Sequence, residues 1–451
     1  MKKSRILCTA MLILALLAAP AFADMFYLCK KDGTAKVSAF TSPNLVWGDY
    51  PQDLTFPAGD NDGGVCLSSF DCGETSWMFA SAYNSADNKQ YAYVYPYMLK
   101  GWGELNPNDQ RIELQDSKMM APRGALYASD NRFYVIDNGS DSNGTVTAYS
   151  IDLKDMGDGK LPLPNFKKLA EITFDSENIS LLETGCTAHP EAIFSANTGD
   201  EYTIFVLLSV KKSDGTYGKN ILVSVKYTDD KLNVEKFMEL NTSAFDGLSH
   251  KPCIMTVETM PRIFLACDNL VEMVNLSEEW TSTLLYKNGS GEDDWAENNF
   301  RFTDIVLDGS SEDSTAYIIA QGYNEKDSDT PYYIREYTVK VAKLIDPEAE
   351  ERTMSLGSDL KDSEYHNTSA IYDSYMGRIY HFLGNDILLF NKKYTSADLG
   401  GAFITAEPCK PYIQQPTGKD YGSDSGGGCN AGCSAAMIFF CAVPFFFRKN
   451  D

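Results

Sequence analysis

The sequence predicts an all-β protein, a β-propeller of six or seven four-stranded blades, framed by a signal peptide and a C-terminal hydrophobic sorting helix. Three observations predict it. A short apolar strand, a turn and a second apolar strand recur along the body. A third, alternating strand follows each pair, and often a fourth, so that the unit repeats every 50–65 residues or roughly so, as propeller blades do. Tyr and Phe are abundant, at 26 and 24 residues, while the body has no long apolar helical run, which favours strands.

The paired strands are read as follows. Ala125-Leu126-Tyr127 goes with Phe133 to Ile136, and Ala192-Ile193-Phe194 with Ile204 to Leu207. Cys253-Ile254-Met255 goes with Ile263 to Ala266, Asp304-Ile305-Val306 with Tyr317 to Ile319, and Ala370-Ile371-Tyr372 with Ile379 to Phe382. Trp77-Met78-Phe79 with Tyr91 to Val94 reads as an earlier copy of the same pair. Third strands are Val146 to Ile151, Ile221 to Val225, Val271 to Val274, Ile334 to Tyr337 and Ile387 to Phe390. Ala170 to Phe174 and Lys236 to Leu240 fill the fourth slot. The inner strand is expected to be apolar because it lies between neighbouring blades, and the outer strands to alternate because one edge meets water. Residues 25–56 supply either a seventh blade or the strand that closes the ring. A pair of β-sandwiches is the rival arrangement.

Both ends carry sorting information. Lys2, Lys3 and Arg5 precede an apolar run from Ile6 to Ala19, and Ala21-Phe22-Ala23 places small residues where a signal peptidase cuts. The expected organisation is a signal peptide at 1–23, the propeller-like repeat domain at 24–415, a Gly/Ser/Asp linker at 416–428, and a tail at 429–451. The tail's apolar stretch, Ser434 to Phe447, has no polar face and ends in Arg448-Lys449. As a helix it would rise about 21 Å, a short transmembrane segment against roughly 30 Å of bilayer hydrocarbon. Its basic pair would sit at the cytoplasmic side.

Gly426-Gly427-Gly428-Cys429-Asn430-Ala431-Gly432, then a short hydrophobic helix, then a basic end, resembles the GlyGly-CTERM family of sorting tails. The Cys-Asn-Ala-Gly wording is similar to the Synergist-CTERM variety. The resemblance covers only about the last 25 residues. It implies an intramembrane sorting protease that reads the tail and cleaves near Gly426, Gly427, Gly428 and Cys429. The protein would then be attached to the cell surface or released. Expected partners are therefore the secretion machinery, signal peptidase, that sorting protease and an extracellular ligand of unknown identity. The expected location is the cell envelope or surface.

The formal charge is −24. Setting aside the leader's three positive charges and the tail's net single one leaves −28 on the body. Such a chain is repelled by phosphate backbones, so nucleic acid is excluded as a partner. No Gly-x-Ser-x-Gly elbow, His-Glu-x-x-His, phosphate loop or Cys-x-x-Cys is present, and nothing in the sequence calls for a cofactor. Gly139 to Gly144 and Ala58 to Gly63 approach a calcium loop but have no carboxylate at the first position, so they read as solvated turns and no metal is expected. Two functional classes survive. The first is a cell-surface binding or adhesion protein presenting propeller loops. The alternative is an extracellular propeller enzyme, a hydrolase or lyase acting on glycan or peptide.

Export into an oxidising compartment suggests disulfides. The candidate pairs are Cys253 with Cys267 across a hairpin turning at Met260-Pro261, Cys66 with Cys72 in a small loop, and Cys29 with Cys409 joining the ends of the body. Cys186 is then left as a thiol. Finally, His189 and His250 fall three residues before Ala192 and Cys253, the same place in two copies. His366 falls near that place in its own copy, with Arg123 and Lys251 beside it in theirs. These five residues are candidate ligand contacts at the mouth of the central channel, for an anion or a transition metal. The competing reading gives the imidazoles a structural bond to a neighbouring blade's backbone.

Overall fold

The computed structural model describes residues 25–30, 36–41, 53–55, 65–72, 75–84, 89–96, 111–114, 122–139, 142–154, 163–199, 201–243, 252–267, 270–287, 300–307, 314–324, 333–343, 350–355, 368–373, 378–383, 386–393 and 402–409. Among these residues 27 strands form seven antiparallel sheets, each a simple meander in chain order. Sheet I, 25–55, has three strands. Sheets II to VII have four each and span 65–113, 122–173, 187–243, 253–287, 300–355 and 368–409. The first strand of each sheet packs against the first strand of the next, from I through VII. Meanders stacked face to face with their first strands innermost make a β-propeller, and the sheets are its blades. Residues 25–55 form their own blade, with three strands among the described residues. Among the described residues no helix is long and apolar enough to cross a membrane. The leader, linker and tail lie outside the described residues.

Period-2 side-chain alternation explains the stacking. In blade III, Phe133 and Val135 join a cluster with Phe70, Trp77 and Phe79 of blade II. Their neighbours Tyr134 and Ile136 point the other way, into a cluster with Ile204, Val206 and Leu208 of blade IV. Blade IV repeats the pattern, sending Phe205 and Leu207 toward Ile263 and Leu265 of blade V. Blade V in turn sends Phe264 and Ala266 toward Ile305 and Ile318 of blade VI. A strand buried on both faces needs an unbroken apolar run, which is how these second strands read.

The most buried strand is therefore the second, not the innermost as the sequence suggested. Arg132–Asp137 and Tyr202–Lys211 are buried nearly end to end, whereas the innermost Cys253–Thr256 is only half-buried throughout. One edge of an innermost strand faces the axis instead of a neighbouring strand. The Trp77 copy is also out of phase. Thr75–Asn84 and Lys89–Pro96 are the second and third strands of blade II, and Val65–Cys72 is its first.

Two proposed disulfides fail on geometry. Cys253 pairs with Ala266, one residue short of Cys267. A slip of one residue puts the two sulfurs on opposite faces of the sheet, and no disulfide joins them. The hairpin is centred between Thr259 and Met260, half a residue earlier than a pairing of Cys253 with Cys267 requires. Hydrogen bonds from Met260 N to Val257 O and from Arg262 N to Met260 O close it. Cys66 and Cys72 lie on one strand, Val65–Cys72, so six residues of extended chain hold them about 20 Å apart. Cys72 is a thiol, as is Cys186. The side chains of Cys29 and Cys409 lie outside the described residues.

Candidate functional site

The seam between blades III and IV holds one of the residues that the sequence proposed for the channel mouth, His189. The second strand of blade III ends at Asp137 and the third begins at Thr145. The intervening loop contains two Asn-Gly steps, Asn138-Gly139 and Asn143-Gly144. Asp137 Oδ1 accepts the Gly139 N–H at 2.7 Å, an Asx turn. Gly139 sits at φ +80°, a conformation that glycine adopts without penalty. The loop then hooks onto the first strand of blade IV, Thr187–Asn197. Gly144 N donates to Ala188 O at 2.8 Å, and Ala188 N donates to Asn143 Oδ1 at 3.0 Å. The approach is so close that a Cβ on Gly144 would stand 2.2 Å from Pro190 Cδ and 2.5 Å from Asp137 O.

His189 is buried in this seam, 6% exposed. Its Nδ1 lies 2.9 Å from Asn138 O. A carbonyl can only accept, so Nδ1 carries the proton. Its Nε2 lies 2.9 Å from Thr187 Oγ1, whose hydroxyl donates to it. Both ring nitrogens are thus engaged, one of them by the neighbouring blade's backbone. Asn138 returns the contact, its Nδ2 donating to Glu191 Oε1 at 3.0 Å. Glu191 is 3% exposed and is the extra residue of a β-bulge between Pro190 and Ala192. Equivalent bulges in the first strands of blades III and VI leave Arg123 and Thr303 as the extra residues. A bulge re-aims a side chain and locally increases twist, a device absent from the sequence pattern.

Of the five proposed ligand contacts, the structure places Arg123 and His189 at the same end of adjacent blades. His250, Lys251 and His366 lie outside the described residues. The loop once comparable to a calcium site has Asn143 Oδ1 committed to Ala188, and 58–63 lies outside the described residues. Among the described residues no group of three or more His, Cys, Asp or Glu side chains converges as metal ligands.

Two further polar centres escaped the sequence reading. Glu272, fully buried in the third strand of blade V, reaches back to blade IV. Its Oε1 accepts from Asn241 N at 3.0 Å and Asn241 Nδ2 at 2.9 Å, and its Oε2 from Asn241 N at 3.1 Å and Thr242 N at 3.2 Å. Ser282 Oγ donates to Oε1 as well. The only trace in the sequence is one carboxylate inside Leu270-Val271-Glu272-Met273-Val274. At the opposite end of the III/IV seam, Asp130 accepts from Tyr134 OH at 2.6 Å and from Arg132 Nη1 at 3.0 Å. The Arg132 guanidinium lies 4.2 Å from the centre of the Tyr227 ring in blade IV. Burial, then the hydrogen bond to Asp130, pushes the Tyr134 phenol well above its ordinary value.

No protein-family model matches the chain, and no curated protein matches it. Among solved structures it is similar to a protein from Lactobacillus plantarum, at 11% identity and a TM-score of 0.45, over 85% of this chain and 96% of that one. It is similar to the Dos1 propeller at 9% identity and a TM-score of 0.42, over 85% and 80%. A Penicillium chrysogenum α-L-arabinanase complexed with arabinobiose aligns at 11% identity and a TM-score of 0.34, over 85% and 87%. Likenesses this distant carry no functional weight, and the fold stands on its own sheet order and inter-blade packing.

Proposed function

We propose that the chain is an exported binding protein of the cell envelope, whose propeller loops present a ligand site outside the cell. The observation that carries this reading is that three buried polar side chains among the described residues are tied into the blade seams. Glu191 and Glu272 each receive hydrogen bonds from a neighbouring blade, and both nitrogens of His189 are taken. Such groups stiffen a scaffold, whereas a general acid/base pair must meet a substrate proton. The ligand contacts of this proposal are Arg123, His250, Lys251 and His366 at the mouth, with His189 supporting the rim behind them. Cations there, in a body carrying −28, suit an anionic ligand.

The test is a panel of glycans and peptides, anionic members included, screened for binding and for turnover. Binding that is lost when Arg123 and Lys251 are both replaced by Ala, with an unchanged melting temperature, supports the reading. Turnover of any member would overturn it in favour of a hydrolase or lyase. The sorting part of the proposal rests on the two ends of the sequence. Signal peptidase would cut after Ala23, and the sorting protease near Gly426 to Cys429. Intact-mass measurement of the native surface protein checks both, and a mature form ending at Asp451 would remove the tail reading.

A further inference from the structure

We propose that the seam between blades III and IV holds a latent self-modification site. Asn138-Gly139 is kept from deamidating while the blades are latched and becomes reactive when they part. An Asn-Gly step is the most exposed of dipeptides to ring closure, because glycine puts no side chain in the way of its own nitrogen. The Gly139 nitrogen attacks Asn138 Cγ, the bond from Cγ to Nδ2 breaks, and ammonia leaves with the proton that nitrogen gives up. Water then opens the resulting succinimide at either carbonyl, leaving aspartate or isoaspartate. No oxidant or reductant enters, and solvent water is the only co-reactant.

The latched seam opposes each part of this step. Gly139 N–H is donated to Asp137 Oδ1 at 2.7 Å, so the nucleophile must first surrender that bond. Asn138 Nδ2, the leaving nitrogen, is held across the seam by Glu191 Oε1 at 3.0 Å, which draws the carboxamide away from its own chain. The Asn138 carbonyl is fixed by His189 Nδ1 at 2.9 Å. The same loop carries a built-in comparison. Asn143-Gly144 is also latched, Gly144 N to Ala188 O and Ala188 N to Asn143 Oδ1. Its conversion to aspartate would be tolerated, because a carboxylate oxygen still accepts from Ala188 N. Conversion of Asn138 would not be, because it replaces a donor facing the buried Glu191 carboxylate with a second, half-buried carboxylate at the same contact. Deamidation at Asn138 therefore loosens the latch that prevented it, and the change is irreversible.

Peptide mapping by mass spectrometry, following the one-dalton gain at each site during incubation at pH 8, tests the proposal. Asn138 in the folded protein should deamidate about tenfold or more slowly than in the urea-unfolded chain, the factor being set by the fraction of time the seam stands open. Glu191→Ala, which frees the carboxamide, should accelerate Asn138 several-fold, whereas Glu191→Gln, which keeps an acceptor oxygen, should not. Equal rates in folded and unfolded protein would overturn the proposal, as would a Glu191→Ala protein that is folded by circular dichroism yet as protected as the parent. Should Glu191→Ala not fold, the pair Asn138→Asp and Asn143→Asp decides. A lower melting temperature for the first alone is expected, and equal melting temperatures would overturn the latch.

Discussion

Replacing Glu272 by Ala removes the carboxylate that ties blade V to blade IV, and the structure fixes what that leaves behind. Thr242 is fully buried, so its N–H, now bonded to Oε2 at 3.2 Å, would be stranded at about 1–3 kcal/mol. Asn241 is exposed, and its two donors can turn to water at little cost. Losing the buried methylenes adds about 1 kcal/mol, partly offset because a desolvated charge is also removed. The sum is about 1–4 kcal/mol of destabilisation. Glu272→Gln should cost about half as much. Its carbonyl can take the place of Oε2 and keep both backbone donors, while its amide faces the Ser282 hydroxyl and the Asn241 carboxamide, each able to reverse. Urea unfolding measures the two costs, and hydrogen exchange at the amides of Asn241 and Thr242 locates them. A cost below 1 kcal/mol for the alanine variant, or equal costs for both, would refute the assignment of Glu272 as an inter-blade tie.

Gly144→Ala should destabilise by about 1–3 kcal/mol, since its Cβ would overlap the Pro190 ring and the Asp137 carbonyl; thermal melting checks it, and a neutral result would mean the loop does not hook onto blade IV. Tyr134 has its folded-state value raised, so its contribution is fully present below the unfolded value of about 10 and is lost as pH rises above it. Stability between pH 9 and 11.5 should fall more steeply in the parent than in Tyr134→Phe. Burial, then the charge of Asp152, pushes the Cys72 thiol up. Alkylation of Cys72 at pH 8 should therefore be slower in the folded than in the unfolded protein, and Asp152→Asn should speed it.

The strands were legible because a blade's second strand must be apolar on both faces. Phe133 to Ile136, Ile204 to Leu207 and Ile263 to Ala266 each stand out as unbroken runs, and each sits where the repeat placed it. The first strand of blade II, Val-Cys-Leu-Ser-Ser-Phe-Asp-Cys, carries four polar or thiol residues among its last five and hid behind the stronger Trp77 run. Register was the weak point. A turn at Met260-Pro261 sets Cys253 opposite Cys267, but the hairpin pairs Cys253 with Ala266, and a shift of half a residue in its centre moves a side chain to the other face. The place of His189 near the start of an innermost strand was legible. What His189 bonds to was not, because its partner Asn138 lies 51 positions earlier and the bulge at Glu191 has no sequence signature.

That failure follows from how a propeller solves its own assembly. Each blade presents similar apolar faces to both neighbours, so burial drives stacking but does little to fix how one blade is turned or slid against the next. Directional contacts must supply that, and each of the four seams between blades II and VI has its own. Phe70, Phe79, Phe133 and Phe166 interlock between blades II and III. The 138–144 hook joins III to IV and Glu272 joins IV to V, while Ile305 N donates to Cys253 Sγ at 3.5 Å between V and VI. A polar residue preceding an inner strand is thus first a seam component. Only a cation whose bonding capacity the seam does not exhaust is available to a ligand. His189 fails that criterion, and the proposed ligand is to be sought by substituting the other cations while the seam is left intact.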